Sequence, residues 1–207
     1  IAAAGGVGTG WVQLAKMLGA EGMPCAGSPG KLAALADLGA DHLIDTSAQD
    51  FQAICADRFG RPRVYDRANS GGVDVVINFT GGTSWLPSLR CLRKQGRLLT
   101  CGATAGFDPR EDLRLLFTFE YQLIGSHGWR REDLIAVLDL LAAGALEPVI
   151  DSVLPLPEAA EGLRAMQRRE ILGKVIGTPQ QATRRRRGPL CPPRPCPPGP
   201  APPPRPR

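Results

Sequence analysis

Histidine is nearly absent: His42 and His127 are the only two in a chain of 207 residues. Neither has a Cys or Glu partner at ligand spacing, so no catalytic metal with an open position is expected, and no zinc bound by this chain. Cysteine does not repair this. Cys25, Cys55, Cys91 and Cys101 are scattered, and Cys191 and Cys196 lie in a proline-rich tail, so the expectation is buried free thiols in a reducing, cytoplasmic compartment. No apolar run approaches the roughly 18 residues needed to span a bilayer, and no signal peptide is visible, so no membrane partner is expected.

Acid is missing from one stretch. Residues 179–207 contain seven arginines and no Asp or Glu, which leaves 18 basic and 20 acidic side chains in the first 178 residues, net −2, although the whole chain carries +5. The body is slightly acidic and makes no case for nucleic-acid binding. Twelve of the last 29 residues are proline. Such a segment cannot bury enough apolar surface to offset its ordering entropy, so residues 179–207 are expected to form a disordered Pro/Arg-rich tail.

What is present begins with a glycine turn. Residues 1–19 read IAAAGGVGTGWVQLAKMLG, a short apolar strand, a turn and a helix. Val7, Trp11, Leu14, Ala15 and Leu18 form one helical stripe, and Gly19 stands where a left-handed residue would end the helix. The turn has the spacing of a dinucleotide-binding fingerprint, Ala3-x-Gly5-x-x-Gly8, with Ala3 in place of the first glycine. Gly5 lets the backbone approach a pyrophosphate, Gly8 lets the helix pack on its strand, and the helix N-terminus offers free N–H groups. Ala3, Gly5, Gly6, Val7 and Gly8 are therefore candidate cofactor-binding residues.

The second strand, residues 22–27, also lacks something. A fold that prefers NAD usually puts Asp or Glu at its end to bind the adenosine ribose diol. Ala26 and Gly27 hold that place. Ser28 and Lys31 flank it, a hydroxyl and a cation where a 2′-phosphate would lie, so NADP(H) is favoured over NAD(H). A plainer reading makes Ser28 an N-cap, with Pro29 at the first helical position, and Lys31 a solvated first-turn residue.

Further strands are expected at residues 42–45, 73–79, 97–101 and 121–126, with helices between them and a polar loop over residues 60–72. The run VDVVINF at 73–79 suits a parallel strand buried on both faces. Thr80 and Gly81 follow at its carboxyl end, the edge where ligands bind in open α/β sheets. The fold class is α/β, a doubly wound parallel sheet of the Rossmann kind, over residues 1–128. From Arg130 the pattern changes to a helix carrying Leu134, Val137, Leu138 and Leu141. A strand at 149–156, a helix at 158–168 and a strand at 173–177 follow.

The string AAAGGVGTGWVQLAKMLGA resembles the start of the cofactor domain in the medium-chain dehydrogenase/reductase superfamily. Its alanine-for-glycine form is similar to the quinone oxidoreductase and zinc-binding alcohol dehydrogenase-like branches. GADHLID, GVDVVINFTGG, LRCLRKQGRLLTCGATAG, LIGS and LGKVIGTP extend the resemblance to about residues 1–178. It implies that Gly102 and Ala103 lie along the ribose and nicotinamide, and that the backbone near Ser126 meets the carboxamide. It also implies that residues 129–178 return toward a substrate domain, one that superfamily members carry before the glycine turn. The missing initiator Met and the short first strand lead to the expectation of a fragment, or of one piece of a split protein, and a homodimer or tetramer is the expectation for the intact form.

The expected function is the NADP(H)-binding portion of an oxidoreductase. It would move hydride between the nicotinamide and a small carbonyl, enone, quinone or alcohol substrate. A non-catalytic NADP(H)-binding sensor or scaffold would use the same residues without turnover. An S-adenosylmethionine methyltransferase also starts with a glycine turn, but wants the acid that Ala26 and Gly27 do not supply. No catalytic residue is assigned, because the resembled enzymes take their substrate pocket largely from the absent part.

Overall fold

The structure is a computed structural model that describes residues 1–66 and 68–179. The expected tail, with Cys191 and Cys196, lies outside the described residues apart from Pro179. Helix α1 (Gly6–Met17) begins directly after the N-cap Gly5 and ends at Leu18, with Gly19 left-handed at φ 72°. Its buried residues are Gly8 and Thr9, and Val12 packs beside them against Ala3, Ala4, Ala26 and Leu35. The stripe read from the sequence does not face this core. Trp11, Ala15 and Leu18 line a cleft of about 550 Å³ instead, and Val7 is 43% exposed.

Strand β1 (Cys25–Ala26) is shorter than expected, because the buried Pro24 has no N–H to give a ladder. It pairs in parallel with β2 (Ile44–Asp45). Helix α2 (Pro29–Asp37) connects them and buries Leu35 completely. Helix α3 (Phe51–Phe59) follows β2. The Asp50 carboxylate accepts from the Gln52 and Ala53 amides at 2.9 and 3.3 Å and sets its first turn.

The second half is a three-stranded parallel sheet in the order β3 (Val73–Ile77), β4 (Leu92–Thr100), β5 (Gln122–Gly125). Helices α4 (Trp85–Cys91) and α5 (Leu113–Phe119) make the crossovers. Residues 1–4 sit between the halves. The Ala3 amide donates to the Cys25 carbonyl at 2.8 Å, and the Ile1 ammonium donates to Ile77 O at 2.8 Å. The order across the molecule is thus β2, β1, residues 1–4, β3, β4, β5. The winding direction reverses at the glycine turn, as a doubly wound sheet requires.

One cluster of Cys55, Val76, Leu89, Cys91, Leu92, Leu98 and Tyr121 forms the core of the second half. Leu89, Leu92 and Leu98 are fully buried, each worth about 2 kcal/mol of transfer free energy. β3 departs from the expectation of burial on both faces. Asp74 and Val75 are exposed, and the strand borders the same cleft that α1 overlooks.

The return segment contains α6 (Arg131–Ala142), β6 (Ile150–Pro155), α7 (Ala159–Gln167) and β7 (Lys174–Thr178), with β6 and β7 paired in parallel. Leu134, Val137 and Leu138 of α6 are 39–52% exposed, and no residue of that helix is buried. The end of the segment nevertheless comes back to the start of the chain. Gly173 N donates to Ala4 O at 2.8 Å, and Gln13 exchanges two 2.9 Å hydrogen bonds with the Glu147 backbone.

Candidate functional site

The carboxyl ends of the parallel strands β1, β3, β4 and β5 share one edge of the fold, and the glycine turn opens onto it between β1 and β3. At the turn the glycines are not equivalent. A Cβ on Gly8 would fall 2.3–2.5 Å from backbone atoms of Ala3, so only glycine lets α1 approach this close. A Cβ on Gly5 would meet nothing within 4 Å. Gly5 is also an N-cap without a side-chain cap, the first turn of α1 has no acid, and Gly5 forms a parallel bridge with Gly173 of the return segment. Gly6 lies beneath the alkyl chain of Lys174.

At the end of β1, Ser28 is the N-cap of α2, with Pro29 at the first helical position. Its hydroxyl makes no capping hydrogen bond, which corrects the capping half of the plainer reading. Lys31 is not a freely solvated residue either: its Nζ donates to the carbonyl of Arg169, just beyond α7. Neither Ala26 nor Gly27 brings a carboxylate to this place. His42 is half-buried, its side chain 19% exposed, paired with Glu21 and edge-on to the Phe59 ring at 6.0 Å.

The turn after β3 is organised by a residue that sequence reasoning missed. Asn78 is fully buried and uses its whole amide. Its Nδ2 donates to the Ser84 and Ser88 hydroxyls at 3.0 and 2.9 Å, and its Oδ1 accepts from the Thr80 and Gly81 amides at 2.9 and 3.0 Å. This holds Gly81 at φ 70° and ψ −145°, a backbone state that favours glycine. A polar residue inside the apolar run VDVVINF was the available signal. Thr80 Oγ1 is buried and has no hydrogen-bond partner.

Thr80 and Gly81 are joined to the loop after β4. Ala105 N donates to Thr80 O at 2.7 Å, Gly82 N donates to Gly106 O at 2.9 Å, and Gly81 forms a parallel bridge with Gly106. A Cβ on Gly81 would lie 3.4 Å from the Ala103 Cα, so these two expected site residues are neighbours. Gly102, Ala103 and Ser126 are exposed, and Ser126 N donates to Thr100 O at 2.8 Å as β5 ends.

Burial pushes the Cys25 thiol up from its ordinary range, and the neighbouring Cys55 thiol together with burial does the same to Cys91. These thiols are packing groups. Among the described residues, no three His, Cys, Asp or Glu side chains converge to hold a metal ion, so the residues do not fit a zinc. No helix among them is long and apolar enough to cross a membrane.

Residues 6–143 match the family model of the zinc-binding dehydrogenases. The chain is 35% identical over 186 residues to a spectinabilin polyketide synthase system protein of Streptomyces orinoci, covering 86% of this chain and 8% of that one. It is 31% identical over 182 residues to an NAD-dependent alcohol dehydrogenase of Sulfolobus acidocaldarius, covering 85% and 48%. The solved structure of a 2-octenoyl-CoA carboxylase reductase in complex with NADP and 2-octenoyl-CoA superposes with a TM-score of 0.72 at 30% identity, covering 85% of this chain and 41% of that one. The chain spans less than half the length of each of these relatives.

Proposed function

The chain belongs to the zinc-binding dehydrogenase family, and on that premise we propose that it is the NADP(H)-binding portion of an oxidoreductase acting on a small carbonyl, enone, quinone or alcohol. Residues 1–128 serve as the nucleotide domain and residues 129–178 as the segment leading to a substrate domain. The observation that carries the reading is the glycine turn at the head of α1. Its helix N-terminus has no side-chain cap and no acid in its first turn, and a Cβ on Gly5 would meet nothing within 4 Å, at the reversal point of a parallel sheet, where a pyrophosphate binds in folds of this kind. The unpartnered Thr80 hydroxyl fits the same group, since a ribose or nicotinamide along the β3 edge would satisfy it.

In this reading Ala3, Gly5, Gly6, Val7 and Gly8 receive the pyrophosphate. Thr80, Gly81, Gly102, Ala103 and Ser126 line the path of the ribose and nicotinamide. Ser28 and Lys31 take the 2′-phosphate, which with the neutral Ala26 and Gly27 supports NADPH over NADH. When bound, the nicotinamide supplies the hydride chemistry; this chain's own residues bind it and orient one face. No step is routed through zinc.

The test is Gly5→Asp in the full chain. The open space above Gly5 and its φ of −84° admit a side chain without strain, so the melting temperature should not fall. A carboxylate beside the phosphates should abolish NADPH binding followed by nucleotide fluorescence. Unchanged binding by this variant would refute the assignment.

A further inference from the structure

We infer that Asn78, Ser84 and Ser88 are positioning residues for the nicotinamide half of the cofactor: from behind the turn after β3 they set the edge against which it lies. The inference rests on the function proposed above, in which Thr80, Gly81, Gly102 and Ala103 line the ribose and nicotinamide.

The hydrogen-bond network has one direction only. The Ser88 hydroxyl donates to Ser84 O and the Ser84 hydroxyl donates to Gly81 O, each at 2.7 Å. A hydroxyl has a single proton, so toward Asn78 both serines can only accept. Asn78 Nδ2 must therefore face them, at 3.0 and 2.9 Å, which turns Oδ1 toward the Thr80 and Gly81 amides. A flipped amide would set Nδ2 against two N–H donors and Oδ1 against two acceptors. Asn78 and Ser88 are fully buried, where such a mismatch is costly.

This lock reaches the cofactor edge. Thr80 N and Gly81 N end on Asn78, Thr80 O accepts from Ala105 N at 2.7 Å, and Gly81 O accepts from Ser84. Every backbone N–H and C=O of Thr80 and Gly81 thus has a partner within the fold. The turn keeps no spare amide for a ligand; it offers a fixed contour and the unpartnered Thr80 hydroxyl. Gly82 N donates to Gly106 O at 2.9 Å and Gly81 bridges Gly106, so the loop that holds Ala103 is fixed with the turn. Two hydroxyls at the head of α4 therefore decide where both lining segments stand, and a preformed edge costs the ligand less ordering on binding.

The experiment titrates the full chain and its Ser84→Ala, Ser88→Ala and Ser84→Thr variants with NADPH and with 2′-phospho-ADP-ribose, which lacks the nicotinamide. Wild type should bind NADPH the more tightly of the two. Each alanine variant should weaken NADPH about threefold to tenfold, the worth of one hydrogen bond, and leave 2′-phospho-ADP-ribose unchanged. The fluorescence anisotropy of NADPH at saturation should fall in both, because the ring is held less firmly. Ser84→Thr keeps the hydroxyl and should restore affinity and anisotropy together. Equal losses for the two ligands, no loss for either, or a wild-type chain that does not distinguish them would overturn this inference and leave nucleotide binding standing. A wild-type chain that binds neither ligand would overturn the proposed function and this inference with it.

Discussion

Gly8 lies so close to Ala3 that a Cβ on it would fall 2.3 Å from the Ala3 carbonyl oxygen and 2.4 Å from the Ala3 Cα. Neither atom can move away. Ala3 is buried and its amide is bonded to Cys25, so the strand and the helix are both fixed. Gly8→Ala should therefore cost at least about 2 kcal/mol in urea unfolding. Gly10 sits in the same helix with nothing within 4 Å of its Cβ position, and Gly10→Ala should instead stabilise by about 0.5–1 kcal/mol. Equal effects at the two positions would contradict the packing role given to Gly8.

Tyr121 gives the fold an alkaline limit. Its hydroxyl is buried and donates to Leu92 O at 2.9 Å, and burial first, then the nearby Cys91, pushes its ionisation above the usual phenol range. The unfolded chain ionises this group near pH 10 while the folded chain keeps the proton. Above about pH 10 the unfolded state then binds fewer protons, so stability falls as pH rises. Tyr121→Phe should lose about 1 kcal/mol at neutral pH. The gap between wild type and variant should narrow above pH 10, which denaturant titrations at pH 8 and pH 11 would detect.

Cys101 reports on the site without any turnover. It is exposed, directly before Gly102 at the end of β4, whereas Cys25, Cys55 and Cys91 are buried. Iodoacetamide mapped by mass spectrometry should label Cys101 far faster than these three. Saturating NADPH should slow labelling at Cys101 if the cofactor lies along Gly102 and Ala103. A rate that NADPH leaves unchanged would remove those two residues from the proposed site.

The glycine turn was legible in the sequence because its determinants are local: Ala3, Gly5 and Gly8 act within one turn, and Gly8 meets Ala3 only five residues away. The parallel sheet was legible for the same reason, since each strand announces itself as a short apolar run before a small-residue turn. The Asn78 hub was not read, because Ser84 and Ser88 reach its amide only after the β3 turn folds them back. The inward face of α1 was misassigned because Trp11, Ala15 and Leu18 border a cleft, a feature that helical periodicity does not encode. The approach of Lys31 to Arg169 spans 138 residues, and that of Lys174 to Gly6 is comparably remote. Both depend on the docking of the return segment, which no local pattern reveals.

The central claim is that this edge of the sheet binds a dinucleotide and prefers the one with a 2′-phosphate. Parallel titrations of the full chain and Lys31→Ala with NADPH and NADH test it most directly. The wild-type chain should favour NADPH. Removing the ammonium should weaken NADPH by about 1.5–3 kcal/mol, the worth of a charge-assisted contact, and leave NADH nearly unchanged. Equal losses for both cofactors, or a wild-type chain that favours NADH, would contradict the account.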